Sequence, residues 1–200
     1  MWPEGALDVP PRLSPARPRH AGWWAAAAVA ALVAGSLATG VVGHATVTSP
    51  SMAPTHATGS SVITTRIGVD RVEPGDVVVF EVPQPWRAAE RERAGRSEDS
   101  SGGEAMVKRV IGLPGDRITC CAPGGLLMRN GSLLDEPYLA EPPGDLLNTT
   151  YDVTVPPGHA WVLGDNRRRS FDSRAMHART GASGLLPLSS IRARVLFGWP

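Results

Sequence analysis

A serine in a rigid turn and a single lysine carry the chemistry that this sequence suggests. Ser51 lies in the run SPSMAPT over residues 49–55, where prolines restrict the backbone on both sides of the hydroxyl. A serine attacks a carbonyl only when a base accepts its proton and a donor stabilises the oxyanion. Runs rich in Ser and Pro are also ordinary surface turns, so this run needs a second element that supplies the base.

The candidate base is Lys108, the only lysine among the 20 Lys and Arg residues. Arginine stays protonated in proteins, whereas a buried lysine can lose its proton. A free lysine titrates near about 10.4, so a base at neutral pH needs a pKa lowered by roughly three units, which burial can supply. Residues 106–111 surround Lys108 with mostly apolar side chains. If this run is a strand, Arg109 points to the opposite face, where Asp165 can neutralise it.

Composition limits the possible functions of the chain. Twenty Lys and Arg against 19 Asp and Glu leave the 200 residues near neutrality. A general nucleic-acid-binding protein would carry a basic excess, so we expect no nucleic-acid partner. Residues 1–20 contain five prolines and three arginines, which is typical of a disordered tail.

An uncharged, alanine-rich segment over residues 21–43 follows this tail. About 20 apolar residues cross a bilayer as a helix, so the segment predicts a single transmembrane anchor with Trp23 and Trp24 at the interface. The arginines before it place residues 1–20 in the cytoplasm and residues 44–200 outside. A cleaved signal peptide is an alternative, but its apolar core would be only about 7 to 15 residues long. A buried soluble helix would need a partner surface that the sequence does not offer.

Residues 44–200 are predicted to form a β-rich domain of many short strands. Runs rich in β-branched residues alternate with Pro-Gly and Asn-Gly turns. The predicted strands are residues 62–65, 77–82, 107–111, 117–119, 126–129, 151–155, 160–163 and 191–197. The hydrophilic residues 86–104 between two of them predict a flexible surface loop.

Cys120 and Cys121 are adjacent and are the only cysteines of the chain. Outside the cytoplasm they would form a vicinal disulfide or remain two thiols. Structural zinc sites use spaced pairs of ligands, so the sequence predicts no metal site.

The run GDNRRRSFDSR over residues 164–174 follows an apolar strand. By itself it is a polar turn with three consecutive arginines. Its hydroxyls are also suited to orienting a base, and its carboxylates to neutralising nearby arginines.

Together these stretches resemble the type I signal peptidases, the membrane-anchored Ser-Lys endopeptidases of bacteria. The resemblance covers the anchor and residues 49–55, 75–80, 106–116 and 164–174, with a weaker match over 184–195. It implies a mostly β, bent antiparallel β-sheet catalytic domain tethered by a single N-terminal transmembrane helix. It also implies an endopeptidase that removes signal peptides from secreted preproteins at the outer face of the cytoplasmic membrane. Preproteins and membrane lipid are then its partners, and no cofactor is required.

The resemblance assigns roles to individual residues. Ser51 is the nucleophile and Lys108 the general base. The Ser49 hydroxyl joins the backbone N–H of Ser51 in the oxyanion hole, and the Ser170 hydroxyl orients the lysine. Four charged residues brace the site, and two apolar residues are candidate walls of pockets for small substrate residues: Arg109, Asp165, Asp172 and Arg174, and Met52 and Val107.

The sequence also departs from the family pattern. Pro50 stands between the two serines where many relatives have glycine. Arg168 and Arg169 occupy positions where acidic or amide residues are common, and residues 175–183 replace an aromatic-glycine run. These differences bear on the shape of the site and on substrate preference.

Three alternatives remain at this point. One is a Ser-His-Asp hydrolase that uses His56, His159 or His177. Another is a non-enzymatic anchored β-domain that acts in binding or assembly. The third is a self-cleaving Ser-Lys protease, a class that lacks the membrane anchor.

Overall fold

The structure is a computed structural model and describes residues 21–95, 104–139, 141, 150–180 and 184–199. The predicted tail over residues 1–20 lies outside this part of the chain. The helices are α1 (Ala21–Ala38), α2 (Gln84–Ala94) and α3 (Ser173–Thr180). The strands are β1 (Val42–Thr46), β2 (Ser61–Thr65), β3 (Val77–Glu81), β4 (Ala105–Gly112), β5 (Arg117–Ala122), β6 (Leu126–Arg129), β7 (Ser132–Leu133), β8 (Tyr151–Thr154), β9 (His159–Leu163), β10 (Leu186–Pro187) and β11 (Ile191–Trp199).

The strands form two antiparallel sheets, which confirms the prediction of a mostly β antiparallel domain. The larger sheet has the order β1-β2-β11-β3-β4-β9-β10, and the smaller one β7-β6-β5-β8. The register shifts where β11 pairs with β2 and β3 and where β4 pairs with β9. Such irregularities bend strands and increase their twist, so the larger sheet is curved. β4 lies between β3 and β9, inside the larger sheet.

Each of the eight predicted strand runs overlaps an observed strand. The Asn130-Gly131 pair joins β6 to β7 with positive φ at both residues, 55° and 82°, as the tight hairpin turn requires. The short strands β1, β7 and β10 were not predicted. The two cysteines lie on β5 and are paired as a vicinal disulfide.

Two groups of buried apolar side chains hold the sheets together. One packs α2 and α3 against the larger sheet and includes Phe80, Trp86 and Val162. The other packs the smaller sheet against β4 and β9 and includes Ile118 and Trp161. β4 and β9 contribute to both groups, so the strand that carries Lys108 is fixed on both faces.

The predicted anchor over residues 21–43 differs from the observed structure. α1 ends at Ala38, Gly40 adopts a positive φ of 66°, and residues 42 and 43 belong to β1, where Val42 pairs with Thr65. Glycine in this conformation commonly ends a helix. Within the described residues, the length and apolar character of each helix fall short of what crossing a membrane requires.

The predicted loop over residues 86–104 is wrong in its first part. Residues 84–94 form α2, which ends at Gly95 with a positive φ of 62°. The reason is Trp86, which is only 2% exposed and packs edge-on between Phe80 and Phe171, at 5.8 and 6.1 Å between ring centroids. One large buried aromatic side chain therefore docks a helix in which half of the other residues are charged. Residues 96–103 lie outside the described chain.

Candidate active site

A short 3-10 turn over Pro50–Met52 carries Ser51. Proline suits the first position of such a turn because its φ is already helical, so Pro50 fits the local backbone. The Ser51 carbonyl accepts a hydrogen bond of 3.0 Å from the backbone N–H of Asn166. The side chain of Ser51 is buried, with 6% of the residue exposed. The turn is therefore tied to the loop that follows β9.

Lys108 reaches this turn from the middle of β4. Its Nζ lies 2.9 Å from Ser51 Oγ and 2.9 Å from the carbonyl oxygen of Val107. Only 3% of the residue is exposed. The fold thus brings together two side chains that are 57 positions apart in sequence. Both hydrogen-bond partners of the amine are neutral groups, which leaves the ammonium form without a directly bonded carboxylate.

Burial lowers the pKa of Lys108 from 10.5 to about 8. The carboxylates of Asp172, Asp165 and Glu90 oppose this shift, and the Arg174 guanidinium adds to it. At pH 7 a group with this pKa is unprotonated in about one molecule in ten. The lysine therefore supplies a usable fraction of free amine near neutral pH, although the shift is smaller than the three units that the sequence suggested.

Ser49 also lies next to Ser51. Its Oγ is 3.1 Å from Ser51 Oγ, and the residue is exposed. A hydroxyl in this place can donate to an oxygen that develops charge above Ser51. Its assignment to the oxyanion hole remains a prediction.

The predicted pairing of Arg109 with Asp165 is confirmed. Arg109 Nε and Nη2 donate to the two carboxylate oxygens of Asp165 at 2.8 and 2.6 Å. Thr55 Oγ1 donates to the same carboxylate at 2.5 Å, and the guanidinium lies 4.0 Å above the ring of Tyr138. This network fixes the end of the serine turn to β4 and to the loop after β9.

A second ion pair lies deeper, behind the lysine. Asp172 is fully buried and Arg174 is 4% exposed. Arg174 Nε and Nη2 donate to the Asp172 carboxylate at 3.0 and 2.7 Å, and the backbone N–H of Gly164 donates to it at 3.2 Å. Burial opposes ionisation of Asp172, but Arg174 outweighs it and lowers the pKa of the carboxyl. The pair is held as a charged pair, as the predicted bracing role requires.

Ser170 makes no hydrogen bond to Lys108 in this structure. Its Oγ is buried and lies beside the Asp172 carboxylate, whose pKa it helps to lower. The hydroxyl lies against Gly164, because a Cβ added there would collide with it. The predicted role of orienting the lysine therefore has no contact to support it here.

The two candidate pocket walls differ in exposure. Val107 is partly exposed on β4, opposite Val79 of β3. Met52 has no exposed surface. Met52 therefore supports the site from inside the domain, and only Val107 offers surface that a substrate can contact.

Three residues of the site were not predicted. Gly164 leaves no room for a side chain, since a Cβ would lie 2.5 Å from the Ser51 carbonyl oxygen. Asn166 and Thr55 tie the serine turn to the loop after β9. Gly164 opens a run of polar residues after an apolar strand, which was the signal available in the sequence. No pattern in the sequence indicates the backbone hydrogen bond from Asn166 to Ser51.

The histidines of the Ser-His-Asp alternative make no hydrogen bond to Ser51 Oγ among the described residues, although His56 lies at the end of the serine turn. His56 packs against Gly198, and His159 Nδ1 is 3.0 Å from the Pro157 carbonyl. His177 packs against the rings of Tyr151 and Trp161. Within the described chain, the hydrogen-bond partners of Ser51 Oγ are Ser49 and Lys108. The geometry thus favours the lysine over a histidine as the base.

Comparison with known proteins gives one consistent result. The family model described as "Signal peptidase, peptidase S26" matches residues 20–199. Signal peptidase I of Mycobacterium tuberculosis is 34% identical over 187 residues, covering 76% of this chain and 63% of the relative. Signal peptidase I of Bacillus caldolyticus is 34% identical over 186 residues, covering 86% and 87%. The chain thus spans less than two thirds of the mycobacterial protein and most of the Bacillus protein.

One solved structure is also similar to this chain. It is a signal peptidase I from Enterococcus faecalis, 27% identical, with a TM-score of 0.43. The match covers 63% of this chain and 97% of that chain.

Proposed function

The chain belongs to the bacterial type I signal peptidases of the peptidase S26 family, and from this membership we propose that it removes signal peptides from secreted preproteins. The proposed reaction is serine endopeptidase cleavage with Ser51 as nucleophile and Lys108 as general base. The observation that carries this proposal is the 2.9 Å contact between Lys108 Nζ and Ser51 Oγ in a buried setting.

The chemistry follows from the protonation state of the lysine. The neutral Lys108 amine accepts the proton of Ser51, and Oγ attacks the carbonyl carbon of the scissile peptide bond. The resulting ammonium gives its proton to the departing amine as the C–N bond breaks, which leaves an acyl ester on Ser51. Lys108, neutral again, accepts a proton from water as the water attacks the ester. As the ester bond breaks, the Lys108 ammonium returns this proton to Ser51 Oγ, which restores the hydroxyl and the neutral amine and releases the acyl product as a carboxylic acid.

The surrounding groups supply position and charge. The Ser49 hydroxyl, together with the Ser51 backbone N–H, is proposed to stabilise the oxyanion. The Arg109–Asp165 pair holds the serine turn against β4. Asp172 and Arg174 are proposed to hold the loop that faces the lysine. Val107 is proposed to form part of a pocket for small side chains before the cleaved bond.

We place the reaction at the outer face of the cytoplasmic membrane, where preproteins emerge. α1 lies directly before β1, and its apolar side chains are exposed: Trp23 is 82%, Trp24 77% and Leu32 72% exposed. Lipid is the environment that would cover such a surface, so membrane attachment through α1 is part of the proposal.

The decisive experiment is cleavage of a purified preprotein by the full chain and its Ser51→Ala and Lys108→Arg variants. Lys108→Arg keeps the positive charge but cannot act as a base at neutral pH. We expect each variant to lose at least about a thousandfold in rate, the range for a missing nucleophile or base. Ser132→Ala, an exposed serine on β7, is the matched control and should cleave like the wild type.

Two outcomes would contradict the proposal. Retained cleavage by Lys108→Arg would exclude lysine as the base and favour a histidine. Absence of cleavage by the wild type, with Ser51→Ala unchanged in every measurable property, would favour a non-enzymatic module.

A further inference from the structure

Cys120 and Cys121 form a disulfide between neighbouring residues of β5, and the proposed reaction gives neither sulfur a role. The two residues differ in exposure. Only 6% of Cys120 is exposed, and it packs in the buried apolar group that includes Ile118 and Trp161. Cys121 is exposed. The disulfide therefore joins the interior of the domain to its surface.

The pairing of β5 with its neighbours explains why the two side chains separate. β5 pairs with β8 as far as Cys120. Its pairing with β6 then passes from Cys120 directly to Ala122. The partners of these two residues, Leu127 and Leu126, are consecutive on β6. Cys121 is thus the extra residue of a β-bulge, which redirects a side chain relative to the regular strand.

The position of the disulfide gives it little value as a structural link. A disulfide stabilises a fold mainly by closing a loop in the unfolded chain, and this effect grows with the number of residues enclosed. Here the bonded residues are one position apart, so no residue is enclosed. β5 is also paired on both sides, with β6 and β8. Cross-linking of the chain therefore does not account for this bond.

The exposure of Cys121 instead suits the bond to chemical exchange. Thiol–disulfide exchange requires an incoming thiolate to reach one of the two sulfurs, and exposed disulfides are the labile ones. A thiolate can approach from the side of Cys121, whereas the apolar group shields Cys120. The bulge thus presents one sulfur for attack and keeps the other as the leaving group.

We propose that Cys120 and Cys121 are a redox-active pair that exchanges electrons with a dithiol reductant through Cys121. A thiolate of the reductant attacks Cys121 Sγ, and the S–S bond breaks with its electron pair on Cys120 Sγ, which takes up a proton. The second sulfur of the reductant, as a thiolate, attacks the first and releases Cys121. The reductant leaves as a disulfide, and its two thiol protons end on the two cysteines. Oxidation by a disulfide of the same class reverses these steps.

The first test is reduction of the full folded chain by dithiothreitol, with free thiols counted by alkylation and intact mass. Attack at an exposed sulfur is bimolecular, so the rate should rise in proportion to the dithiothreitol concentration. Oxidised dithiothreitol should restore the bond. Reduction should lower Tm by no more than about 2 °C, because the bond encloses no residues.

Three results of this test would overturn the proposal. One is a rate that levels off as dithiothreitol increases, because the sulfur would then be reached only after the domain opens. Another is failure of oxidised dithiothreitol to restore the bond. The third is a larger fall in Tm, which would mark the disulfide as a structural link.

Two matched variants test the direction of attack. Cys120→Ser leaves Cys121 as the single thiol, and Cys121→Ser leaves Cys120. We expect iodoacetamide to modify the folded Cys120→Ser chain at least about tenfold faster, because an exposed thiol ionises and is reached more easily than a buried one. In concentrated urea the two rates should become equal. Equal rates in the folded chains would contradict exchange through Cys121.

The cysteines lie outside the contact between Ser51 and Lys108. Preprotein cleavage by the same two variants therefore reports separately on the proposed function.

Discussion

Lys108 and Arg109 are neighbours on one strand, but the partners of their side chains differ in charge. Arg109 meets the Asp165 carboxylate in a two-point ion pair. Lys108 meets a hydroxyl and a carbonyl, and its bonded partners carry no charge. Both side chains are largely buried, so burial alone does not explain the difference between them.

The difference shows how the partners of two neighbouring cations decide which of them stays charged and which is suited to act as the proposed base. A buried cation with a bonded carboxylate stays charged and ties two segments together. A buried cation with neutral partners loses its proton more readily. The pattern recurs at Arg174 with Asp172 and at Arg167 with Glu136, both buried pairs. Among the buried cations of the described residues, Lys108 alone lacks such a pair.

The largest expected effects come from replacing Lys108 and Arg109 with methionine in two separate variants. Lys108→Met should lower preprotein cleavage by at least about a thousandfold, because it removes the proposed base. It should also raise the free energy of unfolding at pH 7 by about 3 kcal/mol, since a pKa of about 8 instead of 10.5 costs about 1.36 kcal/mol per unit. This gain is complete below pH 8 and disappears as the pH rises through 10.5. Urea denaturation at pH 7 and pH 10.5 measures it.

Arg109→Met is the paired measurement. It leaves the buried Asp165 carboxylate without its partner and should lower the free energy of unfolding by about 3 kcal/mol. The two substitutions are chemically alike and one position apart, yet their effects should have opposite signs. A loss of stability of similar size in both would show that the lysine, too, is stabilised by its surroundings.

Asp165→Asn tests the Arg109–Asp165 ion pair by changing the acidic partner. The amide fills the same space but removes the charge opposite Arg109, so we expect a loss of about 3 kcal/mol in the free energy of unfolding. Asp152→Asn is the control, since Asp152 pairs with Arg117 through the same two-point geometry at the surface. Surface pairs contribute little, so its denaturation curve should match that of the wild type. Equal losses would mean that burial does not distinguish the two pairs.

Gly164→Ala probes the packing between the serine turn and the loop after β9. The added methyl group would collide with Ser170 Oγ and lie 2.5 Å from the Ser51 carbonyl oxygen. Overpacking of this kind costs about 1 to 3 kcal/mol of stability, and a displaced nucleophile lowers kcat by about a hundredfold. Gly35→Ala on α1, where nothing lies within 4 Å, should change neither kcat nor Tm appreciably. Wild-type kcat in Gly164→Ala would show that the turn adjusts freely.

The smallest effect is the pH dependence of the wild type. Because the neutral lysine is the proposed base, kcat/KM should rise about tenfold per pH unit below pH 8 and level off above it. A peptide substrate without ionisable groups near the cleaved bond keeps the substrate from titrating. A profile that levels off near about 6.5, the ordinary value for histidine, would contradict the lysine assignment.

The sequence was informative where local chemistry decides structure. Short β-branched runs and the Asn130-Gly131 turn predicted the strands and one hairpin, because both depend on neighbouring residues. As the only lysine of the chain, Lys108 was recognised as the candidate base from the sequence alone. Strand alternation placed Arg109 on the face opposite Lys108, and the family resemblance indicated Asp165 as its partner.

Features that depend on distant packing were not predictable in this way. α2 forms because Trp86 fits between Phe80 and Phe171, and local composition around Trp86 is that of a loop. The same limit applies to Gly164, whose neighbours Ser51 and Ser170 come from other segments of the chain. The burial of Met52 follows from how the serine turn docks on β4, which no pattern in residues 49–55 encodes.

Because the chain has one lysine, proteolysis at that lysine can measure local unfolding of β4. A protease that cuts only after lysine has a single target bond in the whole chain, between Lys108 and Arg109 in the middle of β4. With 3% of that lysine exposed, cutting requires β4 to leave the sheet. The fragment yield over time would then measure how often the centre of the domain opens, with no label and no substitution.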